Sequence, residues 1–261
     1  MKILLSLLVL AFAIFSCQEQ QEEKIDAQEK LVFKPTFDGL EAFLNYQEKI
    51  EEKKNLKILP SLLFTHKSGY TIQNNVFLDK NGEVLKATQE QITTDGKKTV
   101  LTFYFLKEVL SMVQITEENM RLSTLRIKQT RVFYDANQRP ITAYSRITNG
   151  TNKAEFHQVK LQKAQHQLIE NNLHMLSDMQ NQEEEFALYF QGFDEAFNKQ
   201  FVQFGNNSFS TNLAFAPKEK LITELQANPT LFKNQIFNIQ HQAIQEANGL
   251  QYQVLVGISK R

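Results

Sequence analysis

The chain has 261 residues, enough for one large domain or two small ones, and its 29 basic and 29 acidic side chains cancel. Apolar residues make up 42% and charged residues 22%, as in an ordinary globular protein. Basic residues occur only in short pairs such as Lys53-Lys54 and Lys97-Lys98, so nothing favours a nucleic-acid partner, and the single cysteine, Cys17, excludes an intrachain disulfide framework.

Met1-Lys2 gives a short positive start, and Ile3 through Phe15 is apolar except for Ser6. This is the layout of a secretory signal, and the apolar run is shorter than the ~20 residues a stable spanning helix needs. Residues 1–16 hold Lys2 and no acid, so the remainder carries 28 basic against 29 acidic side chains. Ile14-Phe15-Ser16-Cys17 resembles the lipobox of bacterial lipoproteins. That resemblance implies that the Cys17 thiol is lipidated, that the bond before it is cut, and that the new amino group is acylated. Several acyl chains on one residue anchor stably where one is marginal. The competing reading is an ordinary cleaved signal that happens to contain a cysteine. Gln18-Glu19-Gln20-Gln21-Glu22-Glu23-Lys24 has no apolar pattern, so residues 17–35 are expected to be a disordered tether. The acidic stretch is similar to the surface-export signals of Bacteroidota lipoproteins, although solvated linkers share this composition. The expected location is the cell envelope, at the outer membrane, facing the periplasm or the outside.

Leu40, Phe43, Leu44, Tyr46 and Ile50 fall at helical spacing over 38–55, with Asp38 as N-cap and Leu59-Pro60 as the limit or the start of the next element. Strands are then expected at 62–65, 70–78, 84–93, 99–106, 109–116, 122–134, 141–148 and 155–161. Asp79–Gly82, Thr94–Lys97, Asp135–Gln138 and Thr148–Thr151 read as the turns between them. Such short connections make neighbours antiparallel, because parallel neighbours need long crossovers. Residues 60–162 therefore read as an antiparallel meander with one buried face. Alternation is lost at Val132-Phe133-Tyr134, which calls for a bulge or burial on two sides. Val76–Ala87 and Val132–Ala143 are weakly similar, each a strand, a turn opening on Asp, and a return strand.

A second helix is expected over 164–182, with Leu168, Ile169, Leu173, Leu176 and Met179 on one face. Beyond a polar break at 182–185 come strands at 186–193, 201–204 and 209–216, a helix over 218–227 entered by Pro217 and ended at Asn228-Pro229, and a hairpin of 236–244 and 250–258. The expected fold class is α+β. Residues 36–182 are expected to form a helix plus antiparallel sheet domain, and 183–261 a smaller α+β unit whose independence the sequence leaves open.

His166, Glu170, His174 and Asp178 recur every four residues on the second helix, a spacing that puts neighbours on nearly one face. Imidazole and carboxylate ligate zinc or iron, which makes His166, Glu170 and His174 metal candidates. Against this, the row lies away from the apolar face and drifts around the helix, so no metal or cofactor is expected. Nucleophile elbows, phosphate-binding loops and dinucleotide fingerprints are absent. Asp194 and Glu195 follow an aromatic strand, where a glycosidase would need two carboxylates across a sugar, but a strand leading into a turn reads the same way. His241 falls in an expected strand. Phe186, Phe190, Phe193, Phe197, Phe201, Phe204, Phe209 and Phe215 crowd one region, either lining an apolar cavity or filling the core. A likeness to lipoprotein carriers with a half-open β-sheet exists in layout alone. The expectation is a membrane-anchored, non-enzymatic binding or accessory protein with an envelope protein or apolar ligand as partner. The alternatives are a secreted hydrolase of glycans or lipids and a carrier of an apolar ligand.

Overall fold

Short turns organise most of this chain. The computed structural model describes residues 40–119, 126–149, 154–215 and 220–261, all within the unit Pro35–Arg261. The signal segment, Cys17, the tether, Asp38 and Pro217 lie outside the described residues, as does part of the expected Thr148–Thr151 turn. The first helix, α1, is Leu40–Glu51. After it come β1 (Lys57–Pro60), β2 (Phe64–His66), β3 (Thr71–Leu78), β4 (Val84–Ile92), β5 (Lys97–Leu106), β6 (Val109–Asn119), β7 (Arg126–Tyr134), β8 (Pro140–Asn149) and β9 (His157–Val159). From β3 to β9 each strand pairs antiparallel with the next.

The weak similarity between 76–87 and 132–143 comes from one turn used twice. Asp79 and Asp135 each accept two backbone N–H bonds through Oδ1, from Asn81 and Glu83 at 2.8 and 2.9 Å, and from Asn137 and Arg139 at the same distances. A short carboxylate thus replaces backbone acceptors that the turn leaves out. The αL position is Gly82 in one case and Gln138 in the other.

The meander is buried on both faces, which corrects the expectation of one. The second helix, α2 (Lys163–Asn181), covers Ala87, Leu101, Phe103, Val113, Val132 and Ala143 with Ile169 and Leu176. On the opposite face Phe43 and Ile50 of α1 cover Leu85, Tyr104, Met112 and Phe133. Both explanations for Val132-Phe133-Tyr134 apply, since these residues are buried alternately on the two faces and the register shifts between Phe133 and Tyr134. On α2 the buried positions are Ile169, Asn172, Leu176 and Met179. Leu168, expected among them, is exposed, because a step from 168 to 169 turns the helix by about 100°.

Strand β1 was not expected. Its four residues are all exposed, so no alternation marks it, yet it pairs along β3 from Lys57↔Leu78 to Pro60↔Asn75.

The last part of the chain adds β10 (Leu188–Ala196), β11 (Lys199–Gly205), β12 (Phe209–Ala214), α3 (Lys220–Ala227), β13 (Ile236–Gln245) and β14 (Gln251–Lys260). Pairings β10–β11, β11–β12, β12–β14, β14–β13 and β13–β10 close a ring of five strands. Two seams are thin: β12 meets β14 at the single parallel pair Ala214↔Val254, and β13 meets β10 at Phe237 and Ile236. Closure removes sheet edges that would otherwise invite aggregation. Where β13 is unpaired, the Gln182 side chain substitutes, accepting from Ile239 N–H at 2.9 Å and donating to its carbonyl at 2.7 Å.

The ring and the meander share a core. Leu62, Phe64 and Ile72 are buried with Phe186, Phe190, Phe204, Phe209 and Phe237, and with Ile222 and Leu225 of α3. Phe64 contacts Phe186 at 4.9 Å between ring centroids and Phe209 at 6.3 Å, both edge-on. Replacing it removes contacts with both halves at once. Phe64→Ala is expected to lower stability by about 3–5 kcal/mol, with one urea transition whether fluorescence or circular dichroism is followed. Two separated transitions would mean that the halves fold apart.

Candidate functional site

Strand β12 gives one edge to two neighbours: β2 takes Phe209 and Ser210, and β14 takes Ala214. Between them the chain passes Leu63, which belongs to neither ladder. Its backbone groups are satisfied by side chains instead. Leu63 N–H donates to Gln253 Oε1 at 3.0 Å, and Thr211 Oγ1 donates to the Leu63 carbonyl at 2.8 Å. The Leu63 side chain is left outside, 41% exposed.

Two shallow cavities open beside this junction and share Leu63, Gln251, Tyr252 and Gln253. One, of about 250 Å³, is walled by Thr65, Asp194, Ala196, Phe197, Phe201, Asn212 and Leu250. The other, of about 350 Å³, adds Gln73, Ala243, Ile244 and Gln245. Gln253 is only 6% exposed. The Leu63 N–H fixes which end of its amide is oxygen, and the buried Nε2 has no partner among the described residues. Near the junction Lys199 Nζ meets Glu246 Oε1 at 2.9 Å and stands 4.9 Å from the Tyr252 ring centroid. That ammonium is the main reason the Glu246 carboxyl is held below its usual range, helped by the Tyr252 hydroxyl.

Phe197 stands at the rim. It and Asn198 are the two residues between the register partners Ala196 and Lys199, with φ of 52° and 57°. Positive φ at both positions is the turn that matches strand twist, and Asn or Gly is its usual occupant. A bulky residue there is a genuine outlier. Phe197 is also 73% exposed.

The crowded phenylalanines therefore divide. Phe186, Phe190, Phe204 and Phe209 are buried in the shared core, Phe201 is buried outside that cluster and walls the groove, and Phe197 faces solvent. Phe190, Phe193 and Phe215 form a chain of ring contacts at 5.3 and 5.5 Å that leads from the core to the surface.

Asp194 and Glu195 are strand residues, paired with Phe201 and Gln200, and the turn comes only after Ala196. Consecutive strand residues point to opposite faces, so the two carboxylates do not flank one site. Asp194 walls the groove. On α2, His166 Nε2 lies 3.2 Å from Glu170 Oε1, and His174 is exposed one turn further on. Among the described residues no three His, Cys, Asp or Glu side chains converge on a metal-sized site. Sequence reasoning missed Leu63, Tyr252 and Gln253, which no local pattern distinguishes.

Comparison with family models, curated proteins and solved structures gives no match for this chain.

His241 of β13 packs behind the same junction, with Nε2 3.1 Å from the Ser61 carbonyl oxygen. A carbonyl only accepts, so Nε2 carries the proton and donates. Burial pushes the imidazole below its ordinary value of 6.5, outweighing that bond. A base with a lowered folded pKa binds fewer protons folded than unfolded, so its contribution is complete above the unfolded value and is lost as pH falls. The urea midpoint is expected to drop from about pH 7.5 to about pH 5.5, and to drop less in His241→Gln. Equal drops in both proteins would remove His241 as the cause.

Proposed function

We propose that this protein is a lipid-anchored component of the bacterial cell envelope, held at the outer membrane through Cys17, and that its folded part binds an envelope protein at the Leu63–Phe197 groove without catalysing a reaction. We read its architecture as α+β: a meander with flanking helices, and a smaller unit over 183–261. The observation that carries the binding role is Phe197. An exposed aromatic ring in a backbone conformation that costs about 1–3 kcal/mol breaks two local rules at once, and it does so where a groove opens. Each cavity is at or below the low end of the ~300–1,000 Å³ typical of small-molecule sites, which favours an apolar side chain of a partner over a whole lipid. The carrier reading loses support because Phe186, Phe190, Phe204 and Phe209, half of the phenylalanines that would line a cavity, fill the core. The hydrolase reading loses the pair of acids it offered, because Asp194 and Glu195 are consecutive strand residues that point to opposite faces. For the anchor, the support is the signal-like segment ending in Ile14-Phe15-Ser16-Cys17. No described helix is long and apolar enough to cross a membrane.

Phe197→Asn separates binding from folding. It restores a residue suited to the turn, so stability should rise by about 1 kcal/mol. A photo-crosslinking residue at Leu63 in living cells should give a discrete protein adduct that disappears in Phe197→Asn. A lipid adduct would put the carrier reading first, and no adduct would sink the binding role. The anchor is tested separately by Cys17→Ala. The parent should carry the mass of its acyl chains and sediment with membranes, and the variant should do neither. A soluble parent with an unmodified Cys17 would refute the anchor.

A further inference from the structure

The α1-covered face of the meander holds two arginines without an acid. Arg131 of β7 lies opposite Tyr144 of β8, and Arg146 of β8 lies opposite Gln129 of β7, so the two are diagonal neighbours across one strand pair. Both are half-buried. Each is held in place on two sides. Arg131 Nε donates to Gln114 Oε1 at 3.0 Å, and Arg146 Nε donates to Gln129 Oε1 at 2.7 Å. Their guanidinium carbons stand 4.3 and 4.4 Å from the centroid of one ring, Phe156.

Holding two like charges close together costs free energy, and the glutamine carbonyls and the face of Phe156 offset only part of it, because neither supplies a negative charge. The ion pairs that the described residues form lie elsewhere, and neither arginine takes part in one. Glu155, beside Phe156, is exposed and paired with neither. Glu51, on the same face, is occupied by Lys86 at 2.7 Å and by the Tyr104 hydroxyl at 2.8 Å. The mutual repulsion acts with burial to weaken the hold of Arg131 on its proton. Both neutral anchors bond at Nε, so the Nη edges donate to no described residue.

We infer that Arg131 and Arg146 form a binding site for a phosphoryl group, borne by a phospholipid headgroup or by a free phosphate ester. A carboxylate is satisfied by one guanidinium fork, with two parallel bonds. Two forks pinned to one ring match an acceptor with more oxygens and more charge, which a tetrahedral phosphoryl group supplies. The Gln114 and Gln129 carbonyls fix the forks without neutralising them, which leaves both charges for the ligand. The Phe156 ring holds both guanidinium groups near one centroid and removes rotamers that binding would otherwise have to freeze.

The test is calorimetric titration of the full chain in a neutral detergent, with inorganic phosphate and with glycerophosphoglycerol, the water-soluble diester of a phosphatidylglycerol headgroup. At least one probe should bind. Arg131→Gln and Arg146→Gln should each weaken it by about tenfold or more, the loss that follows from removing one charge-assisted fork. Arg146→Lys keeps the charge and the fold but not the fork, and it should fall between. Tighter binding of the diester assigns the site to a lipid headgroup, and tighter binding of inorganic phosphate assigns it to a free phosphate ester. If neither probe binds at millimolar concentration, or if Arg146→Lys and both Gln variants bind as the parent does, the site is not an anion site and the arginines only cover Phe156.

Discussion

The fold depends on the way β12 shares one edge between two strands. A strand edge is a row of donors and acceptors that must all be satisfied, and a buried group left unpaired costs about 1–3 kcal/mol. Here β2 covers the start of that edge and β14 its end, so a gap in the ladder falls at Leu63. Thr211 and Gln253 fill the gap with side chains. Because β2 continues into the meander and β14 into the ring, this junction ties the two together, and it is also why a groove exists. Continuous pairing along β12 would leave no room for one. The exposed Leu63 side chain and the shallow cavities beside it are consequences of the same irregularity.

A second constraint is the change of core along the sheet. Around the ring the core is rich in phenylalanine set among aliphatic side chains, and under α2 it is mostly aliphatic. Between these regions β3 and β4 place Asn74 opposite Gln89, both fully buried. Gln89 Nε2 approaches Met179 Sδ at 4.0 Å, a weak acceptor, and the Asn74 side-chain amide has no partner among the described residues. Such a pair destabilises the packed state, but it falls where two separately packed clusters meet and interrupts neither.

The sequence announces what is local. Asx turns and Asn-Gly or Asp-Gly pairs mark the hairpins, and apolar spacing marks the helices, so most elements could be placed to within a few residues. What it hides is long-range. Strand β1 has four exposed residues and is a strand only because β3 lies beside it. The groove needs Leu63 to meet Thr211 and Gln253, residues brought close by a single parallel pair and a two-residue antiparallel one. Nothing in the spacing of Leu63 or Tyr252 foretells that. Asp194 and Glu195 differ in kind. Extending β10 by three residues to Ala196 turns a pair of plausible catalytic acids into residues on opposite faces. For α2 the row of polar residues was legible, and the one error, Leu168, is a matter of a single step around the helix.

The two candidate surfaces are modest ones: a groove sized for a side chain, and a pair of arginines on one ring. Free in solution, neither would be expected to hold a partner tightly, since affinity comes from a few well-desolvated anchors and must first offset the cost of association. The proposed anchor at Cys17 would change that arithmetic. Tethering to a membrane confines the folded part near its partners and turns a second contact into an intramolecular one, with effective concentrations in the millimolar range for a short flexible linker. Weak, separate contacts then suffice. On the proposed reading, the length of chain between Cys17 and Leu40 would belong to the binding mechanism as much as to the address, because it would limit how far the groove and the arginine pair can reach.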